Sequence, residues 1–257
     1  MRASEVLVEG GIEVEQEGGV LTVRFARPER KNALTFEGYH TIGRVFRAVN
    51  DDLSVNLVVL TGAGDAFCSG GDTQGISQVL ATQSVEERLR FTRMTGQTTK
   101  SIRDCEVPVI AVMRGPAAGA GGVLAMAADV RVMAEGAYFQ FLFNRLGLTG
   151  ADMGSAYLLG NLVGSGRALE LLLTGRRIQA DEALRIGLAH SVVPDSEWES
   201  AIAEMVEQWS SWPRTATTTT KRALAMQMDM NETAAYEIDA YMQTVCLSTE
   251  TFLSKMR

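Results

Sequence analysis

The chain has 257 residues, 46% hydrophobic and 21% charged, with a formal net charge of −7. That length supports one large core, or one domain with a small appendage, and the acidic balance argues against nucleic acid or an anionic membrane surface as the main partner. The three cysteines (Cys68, Cys105, Cys246) have no paired spacing, the start Met1-Arg-Ala-Ser-Glu lacks an apolar leader, and no apolar run approaches about 18 residues, so a cytoplasmic, soluble protein with no metal site is the expectation.

In chain order, Ile12 to Glu17 and Val20 to Phe25 flank Gly18-Gly19 and predict a β-hairpin. A polar turn, Arg27-Pro-Glu-Arg-Lys-Asn32, leads to Thr35, which can cap a helix running to about Asn50 with Ile42, Val45, Phe46 and Val49 on one face. Val55 to Leu60 is nearly all apolar and predicts a parallel strand buried on both faces. It runs into a glycine-rich loop, Thr61-Gly-Ala-Gly-Asp-Ala-Phe-Cys-Ser-Gly-Gly-Asp72. Ser77 to Val85 is mixed, mobile or partly helical, and Glu86 to Cys105 is a helix.

A second buried strand, Val107 to Met113, precedes Gly115, Gly119, Gly121 and Gly122 set among alanines, after which Val123 to Ala128 reads as an apolar helix. Short strands at Val130 to Ala134 and Tyr138 to Phe141 follow. Asp152 can cap a helix through Leu162, Gly166 to Leu173 makes another, and Ala180 to Ile186 a short one before a strand at Ser191 to Val193. From Glu197 the chain is helical in three blocks, broken at Trp212-Pro213 and near Met230, with Thr217 to Thr220 leading into or capping a helix at Lys221. The alternation predicts an α/β core over 1–194 and a helical appendage over 195–257.

The turn around Gly119 reads either as close packing of a helix on a sheet or as an anion cradle at a helix N-terminus. It is no nucleotide loop, because no Gly-Lys-Ser/Thr ends it and the G-x-G-x-x-G spacing fails. Gly70-Gly71 follows one buried strand and Gly119-Ala120-Gly121 the other, and parallel strands bring such loops to one side of a sheet. Two backbone N–H groups converging there would make an oxyanion hole.

Five stretches in this order resemble the crotonase (enoyl-CoA hydratase/isomerase) superfamily: Arg27-Pro28 with Asn32-Ala-Leu34; Leu60-Thr-Gly with Ala66-Phe-Cys-Ser-Gly-Gly-Asp72; Gly115-Pro-Ala-Ala-Gly-Ala-Gly121; Gly147-Leu-Thr-Gly-Ala-Asp-Met-Gly154; and Leu173-Thr-Gly175 with Ala180-Asp-Glu-Ala183 and Gly187-Leu188. The likeness covers about residues 12 to 194 and is looser beyond. It implies repeated ββα units, a homotrimer or dimer of trimers in which the appendage takes part, and an acyl-CoA thioester substrate, with coenzyme A arriving as part of it and no separate cofactor. It further implies that Gly71 and Ala120 supply the two N–H donors, and that Arg30, Lys31, Ala66, Gly70, Asp72 and Thr73 lie along the CoA moiety.

Where hydratases of the family carry two glutamates, this chain has Val123 and Phe143, which resemblance places in the acyl pocket and which can neither hold a proton nor orient water. One acid stands at a family position, Asp152, as in the single-aspartate isomerases, such as the phenylacetate-pathway ring-epoxide isomerase. Among Leu146, Leu148 and Met153 its pKa is expected to rise. A cap for the following helix is its structural alternative, and Asp72 reads more readily as a cap than as chemistry. His40 and His190 read as structural, Cys68 and Ser69 have no evident activating histidine, Tyr138, Tyr157 and Trp212 as core or interface, and Arg176-Arg177 as a solvated or intersubunit face. An isomerase using Asp152 as proton shuttle is the leading expectation; a hydratase or hydrolase in which Asp152 activates water, and a silent acyl-CoA-binding subunit, are the alternatives.

Overall fold

A computed structural model describes residues 2–256; positions 1 and 257, at the outer ends of the two expected regions, lie outside the described residues. The strands are β1 (Ile12–Glu17), β2 (Val20–Phe25), β3 (Leu57–Gly62), β4 (Val109–Met113), β5 (Pro116–Ala118), β6 (Val130–Ala134), β7 (Tyr138–Gln140), β8 (Arg177–Gln179) and β9 (Ser191–Val193). The main sheet has the order β1-β2-β3-β4-β6-β9. Only the β1–β2 hairpin is antiparallel, turning at Gly18, whose φ of 54° suits glycine. All five residues of β4 and the first four of β3 are buried, as expected of parallel strands covered on both faces. A second sheet, β5-β7-β8, was not anticipated; its three-residue strands are too short to show a period.

The helices are α1 (Phe36–Asp51), α2 (Thr73–Thr82), α3 (Val85–Arg103), α4 (Ala120–Ala127), α5 (Ser155–Val163), α6 (Ser165–Thr174), α7 (Ala180–Arg185), α8 (Trp198–Ser210), α9 (Arg214–Gln227), α10 (Glu232–Leu247) and α11 (Glu250–Lys255). Thr35 caps α1, its hydroxyl accepting the Gly38 N–H at 3.1 Å. Ser77 to Val85 is more regular than expected: α2 fills most of it, and a Ser84/Glu87 capping box starts α3. Thr217 to Thr220 lie inside α9 rather than before it; their hydroxyls bond back to carbonyls three or four residues earlier, which lets a helix accommodate them.

The α4 helix is buried along its whole length, so its carboxyl end has no water to satisfy its last carbonyls. Arg131, 1% exposed, does so instead. Its Nη1 donates to Ala128 O at 2.6 Å and Met126 O at 3.3 Å, and its Nε to Leu188 O at 2.7 Å. Burial pushes the guanidinium pKa down to about 10, which leaves it charged at neutral pH and well placed against the negative helix end. The Arg131→Leu variant orphans at least two buried carbonyls at about 1–3 kcal/mol each, so a loss of about 2–6 kcal/mol is expected. Denaturant unfolding reads it as a lower midpoint at unchanged slope; a midpoint equal to that of the parent would exclude this role for the arginine.

His190 is structural, its Nδ1 accepting the Arg131 N–H at 3.2 Å and its own N–H returning to Arg131 O at 2.9 Å. In the C-terminal region, α8 lays Ile202, Met205, Val206 and Trp209 against the core. Lys221 of α9 reaches Asp129 Oδ2 at 2.6 Å and Val107 O at 3.0 Å. The last two helices have no buried residues. No helix is long and apolar enough to cross a membrane among the described residues.

Candidate active site

The first glycine loop is held by the segment before α1. Asn32, 1% exposed and in a left-handed conformation, donates through Nδ2 to Ala63 O at 2.8 Å and Ala66 O at 2.7 Å, while its Oδ1 accepts the Arg27 N–H at 2.9 Å. Leu34 N–H donates to Gly70 O at 2.8 Å and Asp72 N–H to Leu34 O at 2.7 Å. Asp72 is 9% exposed and caps α2, accepting from Gly75 N–H at 3.4 Å. It also pairs with Arg27 at 3.1 Å and Arg30 at 3.3 Å. Burial opposes its ionisation, but those hydrogen bonds outweigh it and hold the carboxyl below the usual carboxylate range. Asp72 is thus a cap and a brace.

The second loop packs directly on the first. Ala118 N–H donates to Cys68 O at 2.9 Å, and Cys68 N–H to Pro116 O at 3.1 Å. A Cβ built on Gly121 would lie 2.1 Å from Cys68 O, and one on Gly70, whose φ is 104°, would lie 3.0 Å from Ala118 O and 3.4 Å from Ala120 N. The loops approach this closely because both positions lack side chains. Ala120 is the first residue of α4, so its N–H is among those a helix leaves unpaired, at the positive end of the dipole. Among the described residues no oxygen accepts the N–H of Gly71 or of Ala120.

Asp152 opens a 3-10 turn, Asp152–Gly154, that packs against α3 and α4. It does not cap the next helix: α5 begins at Ser155 with Gly154 as its N-cap at φ 85°, and no side chain caps it. The left-handed Met153, at φ 55°, turns the chain between the two. Burial raises the pKa of half-buried Asp152, partly countered by the Met153 N–H. Of the three apolar neighbours in sequence, Leu146 and Leu148 are 61% and 55% exposed, whereas Met153 is 5% exposed.

Arg30, Lys31, Ala66, Gly70, Gly71, Asp72 and Thr73 are gathered by these bonds around the first loop, with Lys31 O accepting the Ser69 N–H at 2.9 Å. Arg30 also donates to Gln74 at 2.8 Å, so its charge is shared with this chain's own side chains. Val123, one turn into α4, is fully buried, and Phe143, on a 3-10 turn, is 5% exposed. The Cys68 thiol is buried, which pushes its pKa up to about 12 and leaves it inert at neutral pH. Tyr157 lies 66% exposed rather than in the core. Arg176 and Arg177 part company: Arg176 binds Glu170 and Glu182, each at 2.7 Å, and Arg177 sits over the Tyr138 ring at 4.5 Å.

Tyr39 of α1 was not weighed from sequence. Its hydroxyl lies 3.4 Å from where a Cβ on Gly71 would be. The signal was present, because Tyr39 stands one turn before Ile42 on the same apolar face. Two clefts elsewhere, one of about 1070 Å³ between the main sheet and α8 and one of about 390 Å³ among α9, α10 and α11, contain none of Gly71, Ala120 or Asp152 in their walls.

A family model described as enoyl-CoA hydratase/isomerase matches residues 15–255. The chain belongs to the enoyl-CoA hydratase/isomerase family. Within it, the probable enoyl-CoA hydratase echA12 of Mycobacterium bovis is 36% identical over 227 residues, covering 87% of this chain and 78% of that protein. A solved structure from Streptomyces coelicolor A3(2), provisionally assigned as an enoyl-CoA hydratase, is 41% identical with a TM-score of 0.89, over 93% of this chain and 87% of that one. Another from Thermobifida fusca YX, solved in complex with acetoacetyl-CoA, is 28% identical with a TM-score of 0.85, over 93% and 95% of the two chains. The expected crotonase-like α/β fold is therefore the fold of this enoyl-CoA hydratase/isomerase family member.

Proposed function

We propose that this family member is an acyl-CoA isomerase. The thioester carbonyl oxygen is held by the Gly71 and Ala120 N–H groups, and Asp152 takes a proton from a carbon that the thioester acidifies. The C–H electron pair moves to the carbonyl as an enolate, and Asp152 returns the proton to another carbon of the same chain, shifting the double bond. No separate cofactor enters, since coenzyme A arrives with the substrate. Ala66, Gly70, Thr73, Arg30 and Lys31 line its path, and the uncovered faces of α10 and α11 are the surface for a homotrimer or a dimer of trimers.

The observation that carries the reading is a raised-pKa carboxyl on a turn packed against α4, the helix whose first N–H has no acceptor among the described residues. The binding of acetoacetyl-CoA by the Thermobifida fusca protein supports a CoA thioester as ligand. The enclosure of Val123 and Phe143, at positions where hydratases use glutamates, favours isomerisation over water addition. Hydration, with Asp152 activating water, is the second reading, favoured by the hydratase names of the relatives.

Enoyl-CoA panels incubated in heavy water separate the two. Mass spectrometry is expected to show deuterium in carbon positions of shifted products without gain of a whole water; hydrated or CoA-free product would replace isomerase with hydratase or hydrolase, and CoA binding without exchange would leave a silent subunit. A pH profile adds a sign. Asp152 acts ionised, so the rate rises with pH through its raised pKa, and the acid limb is expected above the ordinary aspartate value. A limb below that value, or one that persists in Asp152→Asn, would remove Asp152 from the base role.

A further inference from the structure

Tyr39 is 3% exposed and held from several sides. Its carbonyl accepts the Thr98 hydroxyl of α3 at 3.1 Å, and its ring meets Phe91 edge-on at 6.2 Å, with Phe36 against Phe91 at 5.0 Å. The aromatic body is thus explained by packing between α1 and α3. The hydroxyl is not: it faces Gly71, and no described residue hydrogen-bonds it. Phenylalanine would fill the same space between α1 and α3, so packing alone does not account for the hydroxyl beside Gly71. Burial first, and then the nearby Cys68 and Asp152, raise the Tyr39 pKa well above its ordinary value, so the hydroxyl keeps its proton and is able to donate to a bound partner.

The geometry points to Tyr39 as a specificity-determining residue whose hydroxyl donates a hydrogen bond to an oxygen carried on the acyl chain of the substrate, selecting oxygenated acyl-CoA thioesters over hydrocarbon ones. This rests on the reading of Gly71 as an oxyanion donor. In that reading the Gly71 and Ala120 N–H groups occupy both lone pairs of the thioester oxygen, so a third donor beside Gly71 needs a different acceptor. Tyr39 borders Gly71, and in the same reading the acyl chain runs from the carbonyl past Asp152, so an oxygen on that chain is the remaining acceptor. A buried donor that a hydrocarbon chain leaves unpaired discriminates strongly against that chain.

The test compares dissociation constants of butyryl-CoA, acetoacetyl-CoA and free CoA, by calorimetry, for the wild type and for Tyr39→Phe. The wild type is expected to bind acetoacetyl-CoA roughly 10- to 100-fold more tightly than butyryl-CoA. In Tyr39→Phe that ratio falls toward one, with free CoA unchanged. No preference in the wild type, or a preference that survives the substitution, overturns the assignment. Equal weakening of both thioesters also overturns it, placing the hydroxyl on the carbonyl oxygen instead. A wild type that binds free CoA but gains nothing from either acyl group overturns the oxyanion reading beneath it, a result distinct from the others. Tyr39→Leu gives the same comparison if the Phe variant does not fold.

Discussion

Asp152→Asn is expected to abolish most of the proton exchange between acyl-CoA and solvent while leaving the fold intact. A positioned general base contributes about 100- to 10,000-fold in rate, so exchange of substrate protons in heavy water should slow by that factor. Asparagine keeps the size of the side chain and an oxygen for the Met153 N–H, so CoA affinity should hold. The stability change has a definite sign. Asp152 has a raised folded-state pKa, so the native state binds its proton more tightly than the unfolded chain does, and ionisation costs stability as pH rises through that window. Removing the charge should therefore leave the thermal midpoint at pH 7 equal to or above that of the wild type. Native-rate exchange in this variant would refute the assignment.

Ala120→Pro should be nearly as damaging, for a different reason. Ala120 is the first residue of α4, the one helical position that accepts proline, because its N–H has no partner within the helix. The substitution deletes one donor with the helix retained, and the added ring faces Gly70, which has no side chain. Loss of one oxyanion donor costs about 100- to 1,000-fold in turnover. The loss should appear in kcat with KM little changed, since the amide matters most when the oxygen carries charge. If turnover is unaffected while the variant folds, the carbonyl is held elsewhere.

Much of this arrangement was legible in the sequence, because its parts rest on local chemistry. The β3 and β4 runs announce parallel strands by their apolarity, Thr35 announces the start of α1, and the glycines at 70, 71, 119 and 121 mark where two loops must touch. What was not legible depends on partners distant in the chain. The strands β5 and β8 are only three residues each and exist through pairing with β7. Asp152 looked like a cap because an acid before an apolar run usually is one; the left-handed Met153 and Gly154 move the helix start past it. Asn32 was read as part of a motif, but its bonds to Ala63 and Ala66 emerge only once β3 lies beside it. The Tyr39 hydroxyl has no such signal, since periodicity reports which face of α1 is buried and not what a hydroxyl on that face meets.

The most direct measurement of the central claim is the carbonyl stretch of a thioester labelled with carbon-13 at its C=O, read by difference infrared spectroscopy on the bound acyl-CoA. Two amides directed at the oxygen draw charge onto it, so the band is expected well below its position in water. The displacement should shrink in Ala120→Pro and persist in Asp152→Asn, which lacks the base but keeps both donors. A band at or above the aqueous frequency in the wild type would contradict the account, because the thioester oxygen would then bind without the amides of Gly71 and Ala120.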